Sequence, residues 1–233
     1  MSSKNRFIRG IKDGIPIALG YFPVSFTFGI LAVSLNIPPF IAILVSLTNL
    51  TSAGQFAGLP LFITEGAYLE LALTQLVINL RYALMSLSLS QKVDNKWHTL
   101  DRMILAHGIT DEIFAVSSNT KDKISRAYFL GLMSLPIIGW TLGTYVGCIA
   151  SSLLDHKLQN ALGLAIYGMF LAIIIPAAKK DRDIKLVVVI SAISSIIINY
   201  LNNFIGIGSG FIIIICTLIS AGTMAILHPK EDS

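Results

Sequence analysis

PPFIAILVSLTNLTSAGQFAGLPLFIT, residues Pro38 to Thr64, reads as an apolar membrane stretch whose middle is polar and glycine-rich. Thr48, Asn49, Thr51, Ser52, Gly54, Gln55 and Gly58 interrupt it, and Pro60 follows. Irregular backbone at membrane depth leaves N–H and C=O groups that lipid cannot satisfy, so such a segment must be buried in protein or line a polar cavity. Broken helices of this kind build the midplane sites of many secondary transporters.

The surrounding chain supports a membrane setting. The 233 residues are 54% hydrophobic and 13% charged, against about 25% charge in an average soluble domain, and the mean hydropathy is +0.75. Six apolar stretches approach or cover the roughly 20 residues that a spanning helix needs. They are Gly14 to Leu35, Leu69 to Ser90, Ala127 to Leu154, Leu158 to Ala178, Ile184 to Leu201 and Ile207 to Leu227. Two more segments, Pro38 to Thr64 and Met103 to Ser118, are irregular and are expected to be broken or re-entrant. The expected fold is therefore an all-α, multi-pass membrane protein forming one transmembrane domain over residues 1–233.

A formal charge of +4 does not indicate nucleic acid, because the basic residues are scattered over short loops. Loop Lys and Arg instead set membrane orientation. If both irregular segments return to the side they entered from, 15 of the 17 Lys and Arg lie inside, with Lys157 outside and Arg81 within a span. Full crossing by both segments leaves 12 inside and 4 outside. Both patterns put the two termini in the cytoplasm. The basic N-terminus before an apolar stretch resembles a signal sequence, but Pro16 and Pro23 and the lack of a small-residue cleavage site favour a retained first helix. Cys148 and Cys216 sit singly in apolar runs, without the spacing of a metal or redox pair.

Glycines mark two further places. Gly139, Gly143 and Gly147 form overlapping GxxxG motifs, which let another helix come close; internal packing is the ordinary reading, and a face for a separate small subunit the alternative. Asn199, Asn202 and Asn203 precede Gly206, Gly208 and Gly210, which reads as an external turn between helices or as a second broken helix in an inverted repeat. The glycine spacing does not match a dinucleotide fingerprint.

Three groups carry candidate chemistry. Arg81 lies past the middle of a span, where insertion scales put the cost of a cation at roughly 2.5–3.5 kcal/mol. A protein carboxylate, a substrate anion held through two parallel hydrogen bonds, or snorkelling to the interface would each offset that cost. In HGITDEIFA, His107 to Ala115, a continuous helix would place His107 and Asp111 on one face with Glu112 beside them, a proton-responsive set; a solvated amphipathic helix is the alternative. In the broken segment, a half-helix restarting near Ser52 would turn its first N–H groups toward a carboxylate. Thr48, Asn49, Thr51, Ser52 and Gln55 would meet an ammonium and the open backbone, and Phe26, Phe28, Leu47, Leu50 and Phe56 an apolar side chain. The competing reading is that Thr51, Ser52, Gly54 and Gly58 serve tight helix packing. Glu65 and Glu70, on the exit side of the break, are expected at the interface. There is no HExxH, paired CxxC or GxSxG element, so no enzyme activity, metal or cofactor is expected.

At these motifs the chain resembles the AzlC family, the larger subunit of bacterial branched-chain amino acid exporters. The matching pieces are GIPIALGYFPVSFTFGILA (Gly14 to Ala32), TSAGQFAG (Thr51 to Gly58), NLRYAL (Asn79 to Leu84) and HGITDEIFA. The resemblance implies export of leucine, isoleucine, valine and analogues such as azaleucine across a bacterial cell membrane, usually with a small AzlD-like membrane partner. Some members of the family are driven by protons, which gives Asp111 and Glu112 a functional role. An uncoupled channel or facilitator for small amphipathic solutes is the competing reading.

Overall fold

Residues 2–94, 97–151, 153, 168, 171 and 174–227 are described by the computed structural model. The helices bounded among them are α1 (Ser3–Ser34), α2 (Pro39–Thr48), α3 (Ala53–Phe62), α4 (Tyr68–Ser90), α5 (Thr99–Ala106), α6 (Asp111–Ser118), α7 (Arg126–Ser151), α8 (Arg182–Ile205) and α9 (Ser209–Leu227). Five of them, α1, α4, α7, α8 and α9, are long and apolar enough to cross a membrane. The expected span Leu158 to Ala178 lies mostly outside the described residues, although 174–180 are helical. The chain divides into two compact units, Met1–Leu59 with Asn79–Gly163, and Pro60–Ile78 with Leu164–Ser233.

The first unit is built on the contact between α1 and α7. A Cβ on Gly10 would collide with the backbone of Tyr128 and Leu132, and one on Gly131 with that of Phe7 and Ile11. Farther along, Gly143 lies against Phe22, Gly147 against Phe26, and Gly29 against Thr144 and Cys148. Small residues let the two backbones touch over most of their length, as in close membrane helix pairs. The overlapping GxxxG motifs of α7 are thus internal, and the alternative of an outer subunit face is overturned because α1 occupies that face. The helix α1 also starts earlier than the apolar pattern suggested, at Ser3, where the Ser2 hydroxyl accepts from the Asn5 N–H. Gly10, on this basic extension, continues the same contact.

The broken segment is observed, but it is shorter than its polar composition implied. Helix α2 ends at Thr48, Asn49 turns extended, and Ser52 takes φ of 47°, in the left-handed region. Asn49 Oδ1 accepts the Thr51 N–H at 3.2 Å, a local bond that competes with helix continuation. Helix α3 then restarts at Ala53, so Gly54, Gln55 and Gly58 are helical.

The second irregular segment is also broken, and the continuous helix that would align His107 with Asp111 does not form. Helix α5 ends at Ala106 and α6 begins at Asp111, where the Thr110 side chain accepts from the Ile113 N–H at 3.4 Å. That N-cap gives the first turn of α6 its own start, so His107 and Asp111 do not share a helical face. At the other end of α5, Asp101 accepts the His98 N–H at 2.9 Å and pairs with Arg126 at 2.8 Å. The His98 N–H and the nearby cations hold the Asp101 carboxyl below its usual value. Its contribution to stability is present at neutral pH and is lost as the pH falls through that depressed value.

In the second unit α8 and α9 form a helix–turn–helix. Gly206 adopts φ of 71° at the end of α8 and Asn202 Oδ1 accepts the Ile207 N–H at 2.6 Å. The asparagine and glycine run is therefore a turn, and the broken-helix alternative is not found there. Glu70 Oε1 accepts the Gly210 N–H at 2.5 Å, which places a carboxylate at the positive end of α9.

Gly147→Val is expected to prevent stable insertion or to lower the melting temperature sharply, because its side chain would meet the Phe26 backbone. Gly20→Ala, at a helical glycine with nothing within 4 Å of an added Cβ, is expected to be neutral or stabilising by about 0.5–1 kcal/mol. Thermal melts of the detergent-purified variants check both.

Candidate substrate and coupling site

Helix α6 is tied to the first unit through the residues at its start. Its first turn carries Asp111 and Glu112, which suits the positive end of a helix dipole. The Asp111 carboxylate meets the Arg81 guanidinium at 2.7 Å. Arg81 also donates to the Tyr82 hydroxyl at 3.3 Å and lies over that ring, 5.1 Å from its centroid. Of the three ways to offset a cation within α4, the structure contains the protein carboxylate. Glu112 is held differently. It accepts from the hydroxyl of Tyr21, on α1, and that hydroxyl lies 2.7 Å from Thr110 Oγ1.

The break is joined to α7 by side chains that the hydropathy pattern hides. Gln55 is 2% exposed, and its Nε2 donates to Ser46 Oγ at 3.1 Å. Ser46 and Thr144 share a hydrogen bond of 2.7 Å, and the Thr144 hydroxyl donates to the Trp140 carbonyl at 3.2 Å. Trp140 packs edge-on against Tyr21, with centroids 5.2 Å apart. Leu50, inside the break, belongs to the same packed cluster as Tyr21, Ile113 and Trp140. Helix α2, the link, the start of α3 up to Leu59, α6 and the α1–α7 pair thus belong to one packed unit.

The expected site residues take different places in it. Thr48 is exposed and its hydroxyl returns to the Leu44 carbonyl at 2.8 Å. Asn49, Thr51 and Ser52 are half-buried in the four-residue link, and Gln55 is buried at the start of α3. Among the described residues, the buried Thr51 Oγ1 and Gln55 Oε1 at the break and Trp140 Nε1 and Thr141 Oγ1 on α7 have no hydrogen-bond partner. His107 is exposed on the link between α5 and α6, away from the face proposed for it. Tyr21, Ser46, Thr110, Trp140 and Thr144 were not singled out from the sequence. Their signal is weak because a lone Tyr, Trp or hydroxyl in an apolar run looks like ordinary packing, and Tyr21 meets Glu112 across 91 residues of chain.

The family described as "AzlC protein" matches residues 16–154, which contain the break, Arg81 and all of α6. An uncharacterized membrane protein of Archaeoglobus fulgidus is 33% identical, with 77% of this chain and 79% of that protein aligned. The inner membrane protein YgaZ of Escherichia coli is 24% identical over 76% of each chain. An uncharacterized membrane protein of Helicobacter pylori is 26% identical over 78% of this chain and 81% of its own length. No solved structure matches.

The Arg81–Asp111 pair is partly exposed, so its isolated contribution is expected to be modest. A double-mutant cycle with Arg81→Gln and Asp111→Asn should show a coupling energy of about 0.5–1 kcal/mol in thermal or denaturant unfolding. Strict additivity would mean that the two groups do not interact.

Proposed function

We propose that this chain, which belongs to the AzlC family, is a proton-coupled secondary transporter that exports branched-chain amino acids across the cell membrane. Leucine, isoleucine, valine and analogues such as azaleucine are the substrate class, and a small AzlD-like membrane subunit is the partner. The observation that carries the reading is the assembly of a broken helix and two carboxylates in one packed unit, one carboxylate on Arg81 and the other on Tyr21. A proton-coupled transporter needs those parts: a polar break to receive a solute, and titrating groups whose partners change with protonation.

In the proposed mechanism Thr48, Asn49, Thr51, Ser52 and Gln55 form the substrate wall. The amino acid carboxylate approaches the first N–H groups of α3, where the helix dipole favours an anion. The ammonium meets hydroxyl and amide oxygens of the link. Phe28 and Phe56, ring centroids 5.4 Å apart, lie beside the break and supply apolar surface for a branched side chain.

Coupling proceeds by exchange of partners. A proton delivered past the exposed His107 neutralises Asp111 or Glu112. Neutral Asp111 no longer holds Arg81, and the guanidinium is released to attract the substrate carboxylate. Neutral Glu112 weakens the hold of Tyr21 on α6. Loss of the proton on the other side restores both bonds. Arg81 thereby serves as structural partner and substrate group in turn, because one guanidinium has two competing anions.

Proteoliposomes test the reading. An imposed proton gradient should drive leucine accumulation against its own gradient, and a protonophore should abolish it. Accumulation that persists after the proton gradient has collapsed would remove the coupling claim, and mere equilibration would identify a facilitator. Arg81→Ala should abolish transport in a stably inserted protein. Asp111→Asn and Glu112→Gln should flatten the pH profile of transport before they weaken binding, and an unchanged profile would exclude both from coupling.

A further inference from the structure

Where α1 runs ahead of its apolar stretch, the first unit holds a cavity of about 370 Å³. Arg6 and Arg9 of α1 line it, with Lys123 on the link between α6 and α7. Loop cations at a membrane surface ordinarily do no more than set orientation. These converge on one space, and its floor is fixed. The Asp94 N–H donates to the Ile124 carbonyl and the Ile124 N–H to the Lys92 carbonyl, each at 3.0 Å. The Trp97 indole N–H donates to the same Ile124 carbonyl at 3.0 Å. The Thr120 hydroxyl folds the link back on itself, donating to the Ser117 carbonyl at 2.8 Å.

Arg6 and Arg9 keep donors available to that space. Arg9 lies over the Tyr128 ring, 5.7 Å from its centroid, and reaches the Asp13 carboxylate only at 3.9 Å. A guanidinium stacked on a ring retains N–H groups along its edge for another partner. Arg6 makes no ion pair among the described residues. Ser125, 9% exposed, accepts the Tyr128 N–H at 3.4 Å and has its hydroxyl proton left to donate. Asp94 and Asp122 also line the cavity, so three cations less two carboxylates leave one positive charge. A phosphodiester, singly negative, matches that balance, whereas a polyphosphate would bring further negative charge against the two carboxylates. Depth points to the source. The apolar stretch of α1 begins at Gly14. At 1.5 Å per residue, Arg9 lies about 7 Å and Arg6 about 12 Å ahead of it along the helix, and the headgroup layer on one face of a bilayer is roughly 5–8 Å deep. The cavity is therefore level with the phosphates of membrane lipids and with the water just beyond them.

We propose that this cavity binds the phosphodiester headgroup of a membrane phospholipid, with Arg6, Arg9 and the Ser125 hydroxyl donating to the phosphate oxygens. A lipid held there bridges the first turns of α1 to the start of α7, at the end of the pair where Gly10 and Gly131 bring the two backbones together. The inference goes beyond the transport reading and does not depend on it.

The test titrates the full-length, delipidated protein in detergent with dioleoylphosphatidylglycerol and follows the first bound lipid by native mass spectrometry. The double variant Arg6→Gln/Arg9→Gln is expected to weaken that binding roughly tenfold to thirtyfold, the loss of two basic contacts to an anionic lipid. Lys4→Gln/Lys12→Gln removes the same charge from the same helical extension at residues that do not line the cavity, and its affinity should stay within about twofold. Dioleoylglycerol, which has the chains and no phosphate, should not compete. Equal weakening in the two double variants means diffuse attraction by a basic helix and overturns the site, as does no weakening in Arg6→Gln/Arg9→Gln. Competition by dioleoylglycerol overturns the phosphate contact. Inorganic phosphate that binds more tightly than the lipid overturns the membrane source, because the anion then comes from solution. If Arg6→Gln/Arg9→Gln fails to insert, Arg6→Gln alone, which leaves Arg9 on the Tyr128 ring, decides by the same comparison with Lys4→Gln.

Discussion

The close approach of α1 and α7 is the constraint on which the first unit depends. Lipid offers two apolar helices little reason to associate, so intimate packing of backbones has to supply it. Glycines on both helices make that packing reciprocal: Gly10 and Gly29 of α1 receive α7, and Gly131, Gly143 and Gly147 of α7 receive α1. Because the contact is backbone to backbone, its register is set within a fraction of a helical turn. Everything else in the unit takes its position from that register.

Two consequences reach the candidate site. Tyr21 and Trp140 are brought ring to edge because they lie on the facing sides of the pair, and Tyr21 then presents its hydroxyl to the start of α6. Ser46 finds the buried Thr144 of the same helix α7 and carries Gln55 with it. A rigid pair thus supports two segments that are not rigid by construction. The break has only four non-helical residues, 49–52, and α6 has only eight residues. Short elements held by a few polar bonds lie at the low-stability end of a structure, where functional motion is expected. Transport by this family member is proposed to use that contrast between a fixed frame and two movable inserts.

Legibility in the sequence followed the range of the interactions. The apolar lengths of α4, α7, α8 and α9 could be read directly, because a spanning helix satisfies its backbone internally and only needs enough apolar residues. The interruption at Asn49 to Ser52 was legible for a similar reason, as Asn49 bonds to Thr51 two residues on. Its extent was overestimated because Gly54, Gln55 and Gly58 are polar or small yet remain helical. The irregularity of residues 103–118 is legible, but the shared face of His107 and Asp111 supposes a continuous helix, and the Thr110 cap ends that possibility. Glu70 looked like an interfacial carboxylate, while its bond to Gly210 depends on a residue 140 positions away.

By itself the sequence determined that this is a helical membrane protein, where its polar interruptions fall, and through the ordered motifs of its first half the family to which it belongs. Those properties follow from local composition and from backbone groups that must be satisfied within a few residues. The tertiary structure decided the partners: Asp111 for Arg81, Tyr21 for Glu112, and Ser46, itself bonded to Thr144, for Gln55. Such pairings are chosen by which helix faces meet. In the first unit the frame for that choice is the glycine-lined backbone contact of α1 and α7, segments more than 100 residues apart, and no local pattern records it.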